Sequence, residues 1–215
     1  MTDGCDFSLA HYRELLRAVG SGGYRWSGFD EPPAAGVVIL RHDVDLSLDA
    51  ALAMAEIEAE EGAWSTWFLM TRSVFYNLAS SEGERGTARL RELGHRVAHH
   101  AVYPYVDLDE RFDSVVAWHN PDPGYMQAPI AGAVNAMAAP YFDPDHYRSD
   151  SNQYWRHGCP HDALARGEFE WLQLLIHPEI WVFPGATMRE TMESMLDADR
   201  TARVEHLRND RIDLS

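Results

Sequence analysis

Apolar residues in this chain recur with two periods. Leu9, Tyr12, Leu15, Leu16 and Val19 fall three or four apart, the spacing of one helical face. That spacing predicts a helix over 7–19, ended by Gly20-Ser21-Gly22-Gly23. Elsewhere the apolar residues form short unbroken runs, at 37–41, 64–70, 96–99, 114–118 and 171–176. These runs are rich in β-branched and aromatic residues and end at glycine or polar positions, as strands buried on both faces do. Helices are expected between and after them: 48–61, with Ser47 as N-cap and Gly62 as stop; about 84–93, closed by Gly94; and a polar helix over 188–208. Residues 24–35 carry Gly28, Pro32 and Pro33 and read as a loop. A helical turn is expected at 106–112, a long loop at 120–135, and short extended pieces at 138–142 and 147–149. Strands that alternate with helices form parallel sheets. The expected fold is α/β: a distorted or incomplete (β/α) barrel of about seven parallel strands with outer helices, one domain over 1–215.

Composition narrows the partners. Hydrophobic residues make up 46% of the 215, ample for a core, while 18 basic against 34 acidic residues leave a net charge of −16. Nucleic acid and anionic membrane surfaces both need basic protein surface, so neither is an expected partner. No segment approaches the ~18 apolar residues of a membrane span. The start, Met1-Thr2-Asp3-Gly4-Cys5-Asp6, has no basic and apolar leader, so a cytoplasmic protein with reduced thiols is expected. Cys159, in Arg156-His157-Gly158-Cys159-Pro160-His161, lacks a paired cysteine nearby and reads as a buried thiol in a loop. Of eleven histidines, His11, His146, His157, His161 and His206 lie in polar segments and are expected at the surface.

Five of the remaining six histidines end apolar runs. The first run ends in Arg41-His42-Asp43-Val44-Asp45, the third in His99-His100, the fourth in His119 and the last in His177. In a parallel barrel all strand ends open on one face, where ligands bind and chemistry occurs. Four such ends that carry His or Asp predict one shared site for a metal or for acid–base chemistry.

These residues resemble the polysaccharide deacetylase superfamily, the carbohydrate esterase family four and its relatives. The resemblance covers roughly 36–178 and is closest to the branch whose first motif reads His-Asp-Val-Asp. Gly94-His95-Arg96-Val97-Ala98-His99-His100 resembles the second motif, Tyr147-Arg148-Ser149-Asp150-Ser151-Asn152 with Trp155 the fourth, and Leu174-Leu175-Ile176-His177-Pro178 the fifth. The resemblance implies that Asp43 is the general base, Asp45 and His100 are metal ligands, and His177 is the acid that protonates a leaving amine. It implies that Asp150 orients His177 or lines the pocket, and that Arg148, Trp155 and Tyr125 are candidates for substrate contact. Two positions depart from the pattern. Pro104 stands where the family has a second metal His, and His119-Asn120-Pro121 stands where the family has an Arg beside the base. A catalytic metal needs about three protein ligands. Asp45, His100 and His119 supply them, with His99 as the competing third ligand; strand alternation points His99 away from His100.

The implied activity is metal-dependent hydrolysis of a C–N amide bond, an N-deacylation of a soluble amino sugar or small N-acyl metabolite. Zinc leads the implied ions; cobalt, nickel, manganese and iron also suit such ligands. Two rival readings stand: hydrolysis of another C–N bond, as in a cyclic ureide or imide, and a non-catalytic binding protein with a degenerate metal site.

Overall fold

The structure, a computed structural model, describes residues 5–213. Its centre is strand β2, Val37–Val44, buried along its whole length. Strands β3 (Thr66–Met70), β4 (Arg96–Ala101), β5 (Val115–Trp118) and β6 (Val134–Asn135) extend the sheet on one side of β2; β8 (Trp171–Ile176) and then β7 (Tyr147–Ser149) extend it on the other. Every ladder is parallel. The sheet curls into an open half-barrel of seven parallel strands with helices around it, as the alternation of strands and helices predicts. One short strand, β1 (Arg25–Ser27), lies within the segment expected to be a loop. It pairs with Val37 to Ile39, on the half of β2 that β3 leaves open, since β3 pairs only with Arg41 to Val44. Three residues are too few to show a period, so the sequence carries no sign of it.

The four longer helices form close to where they are expected, α3 beginning three residues earlier, and each of these four starts has a side chain to satisfy its free N–H groups. Ser8 caps α1 (Leu9–Ser21) and Ser47 caps α2 (Leu48–Glu60). Ser80 caps α3 (Ser81–Glu92), and Thr187 with Glu190 forms a capping box on α6 (Met188–Asn209). Two short helices, α4 (His161–Ala165) and α5 (Pro178–Val182), flank β8. The helical turn expected at 106–112 does not form as one; 105–109 is irregular, and a turn closes only where Phe112 N–H donates to Asp109. The piece at 138–142 is likewise a turn rather than extended chain. No helix among the described residues is long and apolar enough to cross a membrane.

The sheet has two packed faces, and strand alternation sorts residues between them. Val38, Leu40, Val44, Trp67, Leu69, Leu172, Leu174 and Ile176 pack outward in one cluster with α1 and α2 residues. Phe29, Ile39, Phe68, Ala98, Ala117 and Tyr141 fill the interior. The same alternation decides which strand-end residues can meet.

Candidate metal centre

On β2 the odd-numbered residues face the barrel interior, so Arg41, Asp43 and Asp45 line up toward the mouth. His100 follows on β4, His119 just beyond β5, and His177 just beyond β8. Asp45 Oδ1 lies 2.8 Å from His100 Nε2 and 3.0 Å from His119 Nδ1. The two histidine nitrogens are 3.3 Å apart. The three donor atoms thus form a tight triangle, a geometry able to hold a metal ion.

The outer contact of the His100 ring fits a cation. His100 Nδ1 lies 3.0 Å from the Ala117 carbonyl, a contact that requires the proton on Nδ1. Its Nε2 then presents a lone pair toward the Asp45 carboxylate, and two lone pairs at 2.8 Å call for a proton or a cation between them. A carbonyl that fixes the tautomer of a histidine is the usual outer support of a metal ligand. The Asn120 amide nitrogen meets His119 Nε2 at 3.3 Å, so there the ring nitrogen accepts and the proton sits on Nδ1, toward Asp45; ligation through Nδ1 requires the amide turned to present its oxygen. Burial opposes ionisation of Asp45, yet hydrogen bonds to His100 and His119 hold its carboxyl far below the ordinary range. The His119 ring is pushed up by the Asp45 hydrogen bond, against burial.

His99 cannot share this site. Its Nε2 accepts from the Asp109 N–H at 2.8 Å, and its Nδ1 faces the Asp113 and Val115 carbonyls. Alternation turns it outward beside Phe112. His42 also faces outward. Its Nε2 meets Glu58 Oε1 at 2.7 Å, and its ring stacks on Trp67 at 3.8 Å. Glu58 also accepts from Tyr12 and Ser65. This buried network ties α1, α2 and β2 together behind the site.

Asp43 stands beside the triangle, its Oδ2 3.8 Å from His100 Nε2. No arginine stands at His119-Asn120-Pro121; Arg41 contacts Asp43 from two residues upstream. Its guanidinium grips Asp43 with both arms, at 2.8 and 2.6 Å. Burial works against the ionised carboxylate, but the Arg41 charge outweighs it and holds Asp43 below the usual range. Gln173 fixes Arg41 in turn: its Oε1 accepts at 3.2 Å, while its Nε2 donates across the interior to the Ala136 and Tyr141 carbonyls. Both residues are legible in the sequence as anomalies, an Arg and a Gln on interior positions of apolar strands.

His177 completes the edge. Asp150 Oδ1 lies 2.6 Å from His177 Nδ1; Asp150 also accepts from the His177 backbone N–H and from Trp181 Nε1, the latter at 2.7 Å. Burial pulls the imidazolium down, but the Asp150 charge and hydrogen bond outweigh it and raise His177 to about 10. The ring is therefore protonated at neutral pH, with Nδ1 engaged. Its charge acts on both Asp43 and Asp45. Glu179, two residues on in the first turn of α5, is a further buried acid; burial raises it to about 7 against the His177 charge.

Two of the expected substrate-contact residues, Arg148 and Trp155, do not face the site. Arg148 pairs with Leu174, an outward-facing residue, and stacks on Phe169 at 5.1 Å, because alternation along β7 turns it from the interior. Trp155 is buried against Phe7 and donates to Cys5 Sγ, which leaves it no face for a ligand. Tyr125 is exposed and stacks on Tyr103 at 4.4 Å, next to the outward-facing Trp118. One edge of the barrel thus combines a three-donor group able to hold a metal ion, a guanidinium-held carboxylate and a protonated imidazole. No protein family, curated protein or solved structure matches the chain in comparison searches.

Proposed function

We propose that this protein is a metal-dependent hydrolase of a carbon–nitrogen bond, acting on the N-acyl group of a soluble amino sugar or small metabolite. The observation that carries this reading is the convergence of the Asp45–His100–His119 triangle with the Asp43–Arg41 and His177–Asp150 pairs. Asp45 Oδ1, His100 Nε2 and His119 Nδ1 would hold the ion and leave a position open. When bound there, a divalent ion polarises the acyl carbonyl and acidifies the attacking water. Asp43, kept ionised by Arg41, accepts the water's proton. His177 donates its Nε2 proton to the departing nitrogen, which is too basic to leave as an anion. Asp150 holds Nδ1 of that ring, so the proton available for transfer is the one on the free side.

A panel of N-acylated sugars, N-acyl metabolites and cyclic imides, assayed with and without added divalent ion, tests this reading. Asp43→Asn and His177→Ala are each expected to lower turnover by about 10²- to 10⁴-fold while leaving the fold intact. Full activity in either variant removes that residue from the mechanism. Turnover of the imides alone reassigns the bond.

A further inference from the structure

A second group of metal-type donors lies behind the strand-edge site, on α1 and the loop before α4. Cys159, expected to be a solitary buried thiol, has a partner: Cys5 lies beside it, brought there from 154 positions away by the segment that leads into α1. His11, expected at the surface, is the third member, half-buried, with its Nε2 3.3 Å from Cys159 Sγ. Donor atoms of Cys5, His11 and Cys159 all lie within 4.8 Å of one another. We infer that Cys5, His11 and Cys159 form a structural site for a soft divalent cation of the zinc class, separate from the Asp45 centre.

Three features support a cation. Zinc bonds of about 2.3 Å to sulfur and 2.0 Å to nitrogen place tetrahedral ligands about 3.5 Å apart, and the His11–Cys159 distance matches that edge. His11 Nδ1 lies 3.2 Å from Glu14 Oε2, one turn on along α1. A carboxylate there takes the Nδ1 proton and turns the Nε2 lone pair toward the sulfurs, the usual outer support for a ligating imidazole. Trp155 Nε1 donates to Cys5 Sγ at 3.3 Å, a bond that favours the charged sulfur a metal needs. A disulfide would use the two sulfurs and give the oriented imidazole no role. His161, its ring 5.4 Å from that of His11, or water takes the fourth position.

The site's place explains what it would do. His11 stacks on Trp181 at 6.2 Å, and Phe7 meets the same ring edge-on at 5.4 Å. Trp181 is the residue that donates to Asp150. A bound ion would therefore clamp the segment before α1 to the loop before α4 and brace the aromatic layer behind Asp150 and His177.

The test uses the full chain, reduced and freed of metal, with Asp45→Ala to disable the other centre, titrated with Co²⁺ alone. A sulfur-to-cobalt charge-transfer band in the near ultraviolet, saturating at one equivalent and lost in Cys159→Ser, is the expected result; the Asp45 centre has no sulfur and cannot produce it. In the unsubstituted chain, Zn²⁺ is expected to slow alkylation of both cysteines at least tenfold, a readout that needs no variant. Co²⁺ that binds without the band, alkylation indifferent to Zn²⁺, or Cys5 and Cys159 recovered as a disulfide overturns the proposal. None of these outcomes bears on the hydrolase reading, which rests on other residues.

Discussion

Replacing Asp150 with Asn keeps the side chain's shape and removes its charge. In the parent, His177 is held at about 10 against an ordinary 6.5: burial alone would lower it, and Asp150 outweighs the burial. That span, at about 1.4 kcal/mol per pH unit, amounts to roughly 5 kcal/mol. This is an upper bound, close to the roughly 3–5 kcal/mol lost when one partner of a buried pair is removed. The sign follows from the direction of the shift. A group raised on folding contributes its full stabilisation below the unfolded value near 6.5 and loses it as pH climbs through about 10. Urea unfolding of parent and Asp150→Asn should therefore differ by about 3–4 kcal/mol near pH 6. Above about pH 10 the gap should shrink to roughly 1 kcal/mol, the worth of weakened bonds from Trp181 and the His177 backbone. Histidine-resolved NMR should show the His177 imidazole charged through neutral pH in the parent and neutral in the variant. An equal penalty at both pH values would refute the ion-pair account of this dyad.

Two other substitutions probe the neighbouring residues. Arg41→Met leaves Asp43 buried without its cation and should cost about 3–5 kcal/mol in chemical denaturation; the double variant Arg41→Met/Asp43→Leu should recover most of it, and a double variant no better than the single contradicts the pairing. His99→Asn should lower stability but leave the number of bound divalent ions unchanged, because His99 faces away from the triangle; loss of an ion by elemental analysis would restore His99 as a ligand.

Period-two alternation makes much of this site legible in the sequence. It puts Asp43 and Asp45 on one face and separates His100 from His99, and the apolar runs locate β2, β3, β4, β5 and β8. What stays hidden depends on tertiary contact rather than pattern. Arg41 serves Asp43 from two residues upstream on the same strand, a pairing that the pattern of apolar and polar positions does not announce. β1 exists only because half of β2 is left unpaired by β3. Cys5 and His11 meet Cys159 only through the packing of α1 on α4. Trp155 and Arg148 look like ligand contacts because they neighbour Asp150 in its motif, but proximity in sequence does not set the face on which a side chain emerges.

Elemental analysis reads whether Asp45, His100 and His119 hold a divalent ion. Protein purified without chelator or a metal-affinity tag should be compared with Asp45→Ala and His119→Ala prepared identically. Each variant should carry one equivalent fewer than the parent, whatever the Cys5–His11–Cys159 group contributes to all three. Equal metal content in parent and variants, after incubation with zinc, manganese or nickel, would contradict binding by these residues.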